Sequence, residues 1–331
     1  MRATVTFGIF GYLLAKADLE QLVDDLGQAD PGMIALAWVA HGIVLFMGSY
    51  RWHLFLRMQN YAYTLLATYR MNLIGFFFNA FLPGSTGGDF VKLGYLFKDA
   101  PDKKSQAISS ITADRLVGVS TLFLLGGVAF YTSASRLDIL EEQSNFLGAL
   151  KWVAIGLILS IFILFFFPFS IFPKKIRNSV INIPGMLKLK QFHDDLRVYR
   201  EGWGRSALAI FISVLSQLFT FVAIYLLTAA IGISVSYIEI LMVAPIIIFA
   251  IGMPVSINGH GVREGMFTLM YINFGLVSDD ASGRATALAV ALLFLGLQLS
   301  WSLMGGLVFL FEKYFRNHPT NHEENELHHH A

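Results

Sequence analysis

Stretches of about twenty residues nearly free of charge recur along the chain, and they restrict its fold more than any motif does. About 20 apolar residues in an α-helix cross the hydrocarbon core of a bilayer. Such windows predict helices over residues 3–17, 32–56, 106–131, 149–170, 206–230 and 285–312. Only 14% of residues are charged, where a soluble domain carries about 25%, and 55% are hydrophobic. The expected fold class is therefore an all-α polytopic membrane protein. A net charge of +1 gives no global field to draw in nucleic acid. Cysteine is absent, which excludes disulfides, thiol catalysis and cysteine-based metal sites.

Two further apolar segments, 71–98 and 238–276, are interrupted. The first carries Asn79-Ala80-Phe81-Leu82-Pro83-Gly84-Ser85-Thr86-Gly87-Gly88-Asp89. The second carries Pro254-Val255-Ser256-Ile257-Asn258-Gly259-His260-Gly261-Val262-Arg263-Glu264. Pro83, Gly84, Pro254, Gly259 and Gly261 are the expected structural breaks. Irregular backbone at membrane depth is tolerated only where protein buries it or where it lines a polar cavity. A pair of such breaks in matching positions of two halves is a pointer to a transporter's central site.

Lysine and arginine set the expected orientation by the positive-inside rule. The loop 171–205 holds Lys174, Lys175, Arg177, Lys188, Lys190, Arg197, Arg200 and Arg205, and should be cytoplasmic. Arg51, Arg57, Arg70, Lys98, Lys103 and Lys104 belong to the same side, as do Lys313 and Arg316. The opposite side is acidic: Asp18, Glu20, Asp24, Asp25 and Asp30, then Asp138, Glu141 and Glu142, then Asp279 and Asp280. The segment 71–98 then has cytoplasmic flanks at both ends, and 238–276 has external flanks at both ends. Each reads as a re-entrant helical hairpin, the two inserted from opposite faces, beside about six transmembrane helices.

The spacing suggests an internal repeat. Pro83 precedes Arg115 by 32 residues, and Pro254 precedes Arg284 by 30. Each arginine is expected to open a long apolar span. The halves, about 1–135 and 148–314, would form an inverted-topology repeat within one transmembrane domain, 1–316. Both termini are expected to be cytoplasmic. Ala15-Lys16-Ala17 resembles a signal-peptidase site, but a retained first helix is the preferred reading. Residues 317–331 read as a disordered polar tail, and His328, His329 and His330 as a feature of it that binds metal only adventitiously.

A charge at the bilayer centre costs about 2.5–3.5 kcal/mol on insertion scales, so intramembrane charges are functional candidates. They are Asp89, Lys92, Asp114, Arg115, Arg263, Glu264 and Arg284. Acids and bases nearly balance, which suggests a paired network around a polar cavity. Gly87 and Gly88 should open backbone amides at the start of a half-helix, with Asp89 as its N-cap. Asn258 or Gly259 could cap the returning half-helix of the second hairpin. Arg263 offers a planar fork for phosphate or carboxylate, and Glu264 could neutralise Arg115 or Arg284. Arg51 and Arg70 read as headgroup anchors, and Trp52 and Trp203 as interfacial residues. No catalytic set, metal-ligand cluster or cofactor motif is expected, and no nucleotide P-loop is present.

These motifs resemble the lysylphosphatidylglycerol synthase transmembrane, or flippase-like, family, which includes the membrane half of the multiple peptide resistance factor. The likeness lies in Asn79-x-Phe81-Leu82-Pro83-Gly84-x-x-Gly87-Gly88-Asp89, in Asp114-Arg115-x-x-Gly118, and in Pro254-x-Ser256-x-x-Gly259-x-Gly261-x-Arg263-Glu264. It implies an integral protein of a bacterial or archaeal cytoplasmic membrane that moves lipids between leaflets. It also implies that Asp89, Arg115 and Glu264 line the lipid cavity. The chain runs only 19 residues past its last expected span, so the aminoacyltransferase domain of some members, and lipid aminoacylation, are not expected. Membrane lipids are the expected partners; a homo-oligomer is compatible with the sequence. The alternatives are a membrane-embedded enzyme using Glu264, Asp89 and His260 on a lipid-linked substrate, and a non-transporting scaffold that docks through loop 171–205.

Overall fold

Capping side chains and apolar runs together fix where each element begins. The computed structural model describes residues 11–13, 15–81, 87–133, 195–253 and 259–317, and every regular element among them is helical. Helix α1 (Leu19–Gln28) starts at Asp18, whose carboxylate accepts from the amides of Glu20 and Gln21. Helix α2 (Pro31–Met58) starts in the same way at Asp30, with Pro31 in the first turn, where an N–H would have no helical acceptor. Helices α3 (Leu65–Phe81) and α4 (Gly87–Asp99) flank the Pro83 region, and α5 (Lys104–Ser133) follows a 3-10 turn at Pro101–Lys103. Helices α6 (Trp203–Ala230), α7 (Tyr237–Gly252), α8 (Val262–Asn273) and α9 (Ala281–Asn317) complete the order.

Among the described residues four helices are long and apolar enough to cross a membrane: Pro31–Met58, Pro101–Val128, Trp203–Ala230 and Ala281–Glu312. They coincide with the spans expected at 32–56, 106–131, 206–230 and 285–312. The expected span 149–170 lies outside the described residues, as do most of 3–17, most of the basic loop and the tail from residue 318. Pro83, Gly84, Pro254 and Asn258 also lie outside them.

Hydrogen bonds sort the helix ends into two groups. At one end Gln59, just past α2, donates to Ser109 of α5 and to Tyr199 of the helical stretch 195–201. Tyr61 donates to the Lys103 carbonyl, and Tyr63, before α3, donates to Asp99 at the close of α4 (2.6 Å). At the other end the Asp30 amide donates to the Ala230 carbonyl, and the Asp18 amide to that of Ala281. Helix α7 begins there too, seven residues after α6 ends, under a Ser236–Glu239 capping box. The first end carries Arg57, Lys98, Lys103, Lys104, Arg197, Arg200 and Arg205. The second carries Asp18, Glu20, Asp24, Asp25, Asp30, Glu239, Asp279 and Asp280, with two cations, Lys16 and Arg284.

Helix α2 packs along α6, and α9 along α3. The largest apolar cluster joins α2, α5, α6, α7, α8 and α9 through residues such as Ala37, Leu122, Phe221, Val243, Phe267 and Phe294. Trp38 and Trp301 stack at 4.4 Å between α2 and α9, and each indole N–H has an acceptor, Ser300 Oγ and the Trp38 carbonyl. Trp203 is exposed, as an interfacial residue should be, whereas Trp52 is buried within the bundle and donates toward Ser110 of α5.

Candidate functional site

The first broken segment brings α4 back alongside α3. Gly88 sits so close to the Gly75 backbone that a Cβ there would overlap it, so only glycine permits this approach. The Gly88 amide is capped by Asn79 Oδ1 at 2.6 Å. This corrects one expectation: Asn79, not Asp89, caps α4. Asp89 lies in the first turn, and its carboxylate faces sideways to two cations.

That carboxylate accepts a bidentate pair from Arg115 of α5, Nε to Oδ2 at 2.8 Å and Nη2 to Oδ1 at 3.0 Å. Lys92, one turn along α4, places Nζ 3.8 Å from the same carboxylate and 4.8 Å above the Trp52 ring. Asp114, adjacent to Arg115, points to a different part of the α5 surface and binds Arg51 Nε at 2.7 Å. Arg51 Nη1 also donates to Ser213 of α6, itself 2.7 Å from Thr121. Arg51 is therefore not a headgroup anchor. Its side chain is 12% exposed and ties α2, α5 and α6 together. Asp89 and Lys92 are buried, while the Arg115 side chain is 49% exposed.

The second broken segment closes on itself. Gly259 and Gly261 hold φ of 75° and 81°, left-handed values that suit glycine. Glu264 reaches back to the Gly261 amide at 2.5 Å, and its other oxygen lies 3.7 Å from Arg263 Nη1. His260 Nδ1 lies 3.5 Å from the same guanidinium nitrogen. Arg263 and Glu264 are each 1% exposed. Glu264 thus neutralises Arg263 and caps α8; it serves neither Arg115, which holds Asp89, nor Arg284, which holds Asp279 at 2.5 Å. Arg70 lies 3.9 Å from Glu312 and is half exposed.

Of the residues singled out in the sequence, Gly87, Gly88, Asp89, Lys92, Asp114 and Arg115 fall in one cluster. Gly259, His260, Gly261, Arg263 and Glu264 fall in another. Helix α5 joins them: Phe123 packs on Phe249 of α7, and Gly126 lies against Pro245, eleven residues or about 16 Å beyond Arg115. Arg115 lies eleven residues into α5 and Arg284 three into α9, so the two arginines do not occupy matching helix positions. Arg51, Ser213, Thr121 and Asn79 complete the first cluster and were not foreseen in it. The signal for Asn79 was its place in the glycine motif; Arg51 was visible only as a charge near a helix end. Among the described residues no three His, Asp or Glu side chains converge on a point where a metal ion could sit.

Residues 1–306 match the family model described as the lysylphosphatidylglycerol synthase TM region. The chain belongs to this family. It is also similar to the "UPF0104 membrane protein MJ1595" of Methanocaldococcus jannaschii, with 22% identity over 290 residues, covering 82% of this chain and 83% of that one. Membership makes the chain a membrane protein of a family named for lipid synthesis, and its apolar helices agree with that.

Proposed function

We propose that this protein is a carrier that moves a phospholipid or another phosphate-bearing lipid between leaflets, without a chemical step of its own. The observation that carries the reading is the charge cluster on α2, α4 and α5. Three cations, Arg51, Lys92 and Arg115, face two carboxylates, Asp89 and Asp114. One positive charge is left over, and Arg115 is the member with half its side chain accessible. Two of its five donors meet Asp89, and the rest can take a phosphate oxygen. The start of α4 adds the partial positive charge of a helix N-terminus. A lipid phosphate matches this surplus, and its tails stay in the bilayer.

The two broken segments act as re-entrant hairpins in this reading. Helices α3, α4, α7 and α8 have 17, 13, 16 and 12 residues, each below the roughly 20 needed to span alone. The Tyr63–Asp99 bond holds both flanks of the first hairpin at the basic end, and short connections hold those of the second at the acidic end. The basic end is cytoplasmic by the positive-inside rule. The halves then form an inverted repeat that rocks about the site. The Arg263–Glu264 pair and the Glu264 cap hold the turn into α8.

The test is translocation of fluorescent phospholipid in vesicles that hold only the purified protein. Wild type is expected to accelerate exchange, and Asp89→Ala combined with Arg115→Ala to return it to the protein-free rate. Equal rates for the two would reject this site. Appearance of a new lipid species would favour an enzyme instead.

A further inference from the structure

Away from the Asp89 cluster, a cavity of about 610 Å³ runs along α8 toward the acidic end of the molecule. That volume is within the range of about 300–1,000 Å³ usual for ligand pockets. Val262, Met266 and Leu269 line it at the spacing of one helix face, and Leu13 and Leu288 line it from other elements. Gly261 and Asn273, at the two ends of α8, both line it. These are twelve residues apart, about 18 Å at 1.5 Å per residue, close to the ~15 Å depth of one leaflet's hydrocarbon. The groove therefore has the length and the apolar lining of an acyl-chain site.

Its mouth is charged. Lys16, Arg284 and Asp279 line it, two cations and one carboxylate. Helix α1, which packs on the start of α9 through Leu22, brings Glu20, Asp24 and Asp25 to the same end. A headgroup bearing only negative charge has to take Arg284 from Asp279, which it already holds at 2.5 Å. A zwitterion satisfies both signs that line the mouth, its phosphate on Lys16 and Arg284 and its ammonium toward Asp279. We infer that this groove binds one zwitterionic phospholipid, with its headgroup at Lys16 and Arg284 and a chain lying along α8 as far as Gly261. The orientation in the preceding section makes it a lipid of the outer leaflet; the binding itself does not depend on transport.

The chain has no cysteine, so single-cysteine probes are clean. Leu269→Cys, in the groove, and Leu303→Cys, on the exposed face of α9, would each carry a fluorophore quenched by brominated acyl chains. Brominated phosphatidylethanolamine or brominated phosphatidylglycerol is added as a minor component of an unbrominated bilayer. At Leu269 the zwitterionic lipid is expected to quench at least about threefold more than the anionic one, a preference of about 0.7 kcal/mol. At Leu303 both should follow their bulk fractions. Asp279→Asn, a change at an exposed side chain that removes the ammonium's partner, should lower the preference at Leu269, and Lys16→Ala, which removes a phosphate partner common to both lipids, should lower quenching by each. Quenching at Leu269 that follows bulk composition as at Leu303, or a preference unmoved by Asp279→Asn, would overturn the inference. Selective quenching in a protein that translocates no lipid would sink the carrier reading and leave this one standing.

Discussion

Asp89 lies within 3.0 Å of two Arg115 nitrogens and 3.8 Å from Lys92 Nζ, so its loss strands two cations. Breaking a fully buried pair costs about 3–5 kcal/mol. Because the Arg115 side chain is half exposed, the expected cost of Asp89→Asn is lower, about 2 kcal/mol, read by thermal unfolding in detergent. Arg51 is held more tightly: Arg51→Met strands Asp114 and should cost about 3 kcal/mol, and adding Asp114→Leu should recover most of it. An unchanged Tm in Arg51→Met would mean that this pair contributes nothing to holding α2, α5 and α6 together. Such pairings were the least legible part of the sequence. Arg51 and Asp114 are 63 residues apart, and helix packing alone decides that they meet. Asp89 was visible as a charge after two glycines, a pattern that suits an N-cap and a pair partner equally. Asn79 taking the cap resolves it.

Helix positions, by contrast, were legible to within a few residues. The window 206–230 became Trp203–Ala230 and 32–56 became Pro31–Met58, because an apolar run of that length has one membrane solution and its caps are local. The breaks at the two glycine motifs were legible for the same reason, since Gly and Pro punctuate locally. What the breaks hold against was not. Gly88→Ala drives a Cβ into the Gly75 backbone, and overpacking of this kind costs about 1–3 kcal/mol; a lowered Tm and a lower yield of folded protein are expected. At α9 the cap is Asp280, which accepts from the Gly283 amide at 2.7 Å and from Ser278. These bonds, the Gly283 amide first, hold its carboxyl below the ordinary carboxylate range. A depressed value means that the cap's contribution is present above about pH 4 and is lost as pH falls through the folded-state value. The protection factor of the Gly283 amide, its exchange measured against the intrinsic rate at the same pH, should therefore fall on acidification in wild type and be low at every pH in Asp280→Ala.

At the scale of the whole molecule, the carrier reading depends on two broken helical hairpins that enter from opposite faces and keep charge away from lipid. The sorting of basic and acidic residues to the two helix-end groups agrees with such an arrangement, and so does the shortness of α3, α4, α7 and α8. The expected equivalence of Arg115 and Arg284 does not extend to their places in their helices, so any repeat is one of topology and not of site residues. The most direct measurement is thiol accessibility to a membrane-impermeant reagent in sealed, oriented vesicles, which the absence of native cysteine makes clean. Ala62→Cys and Asp102→Cys flank the first hairpin, and Ser234→Cys and Ser278→Cys the second. The first pair should label together from the cytoplasmic face only, and the second pair together from the outer face only. Labelling of either pair from opposite faces would show a segment that crosses completely, and would contradict the proposed architecture and the site built on it.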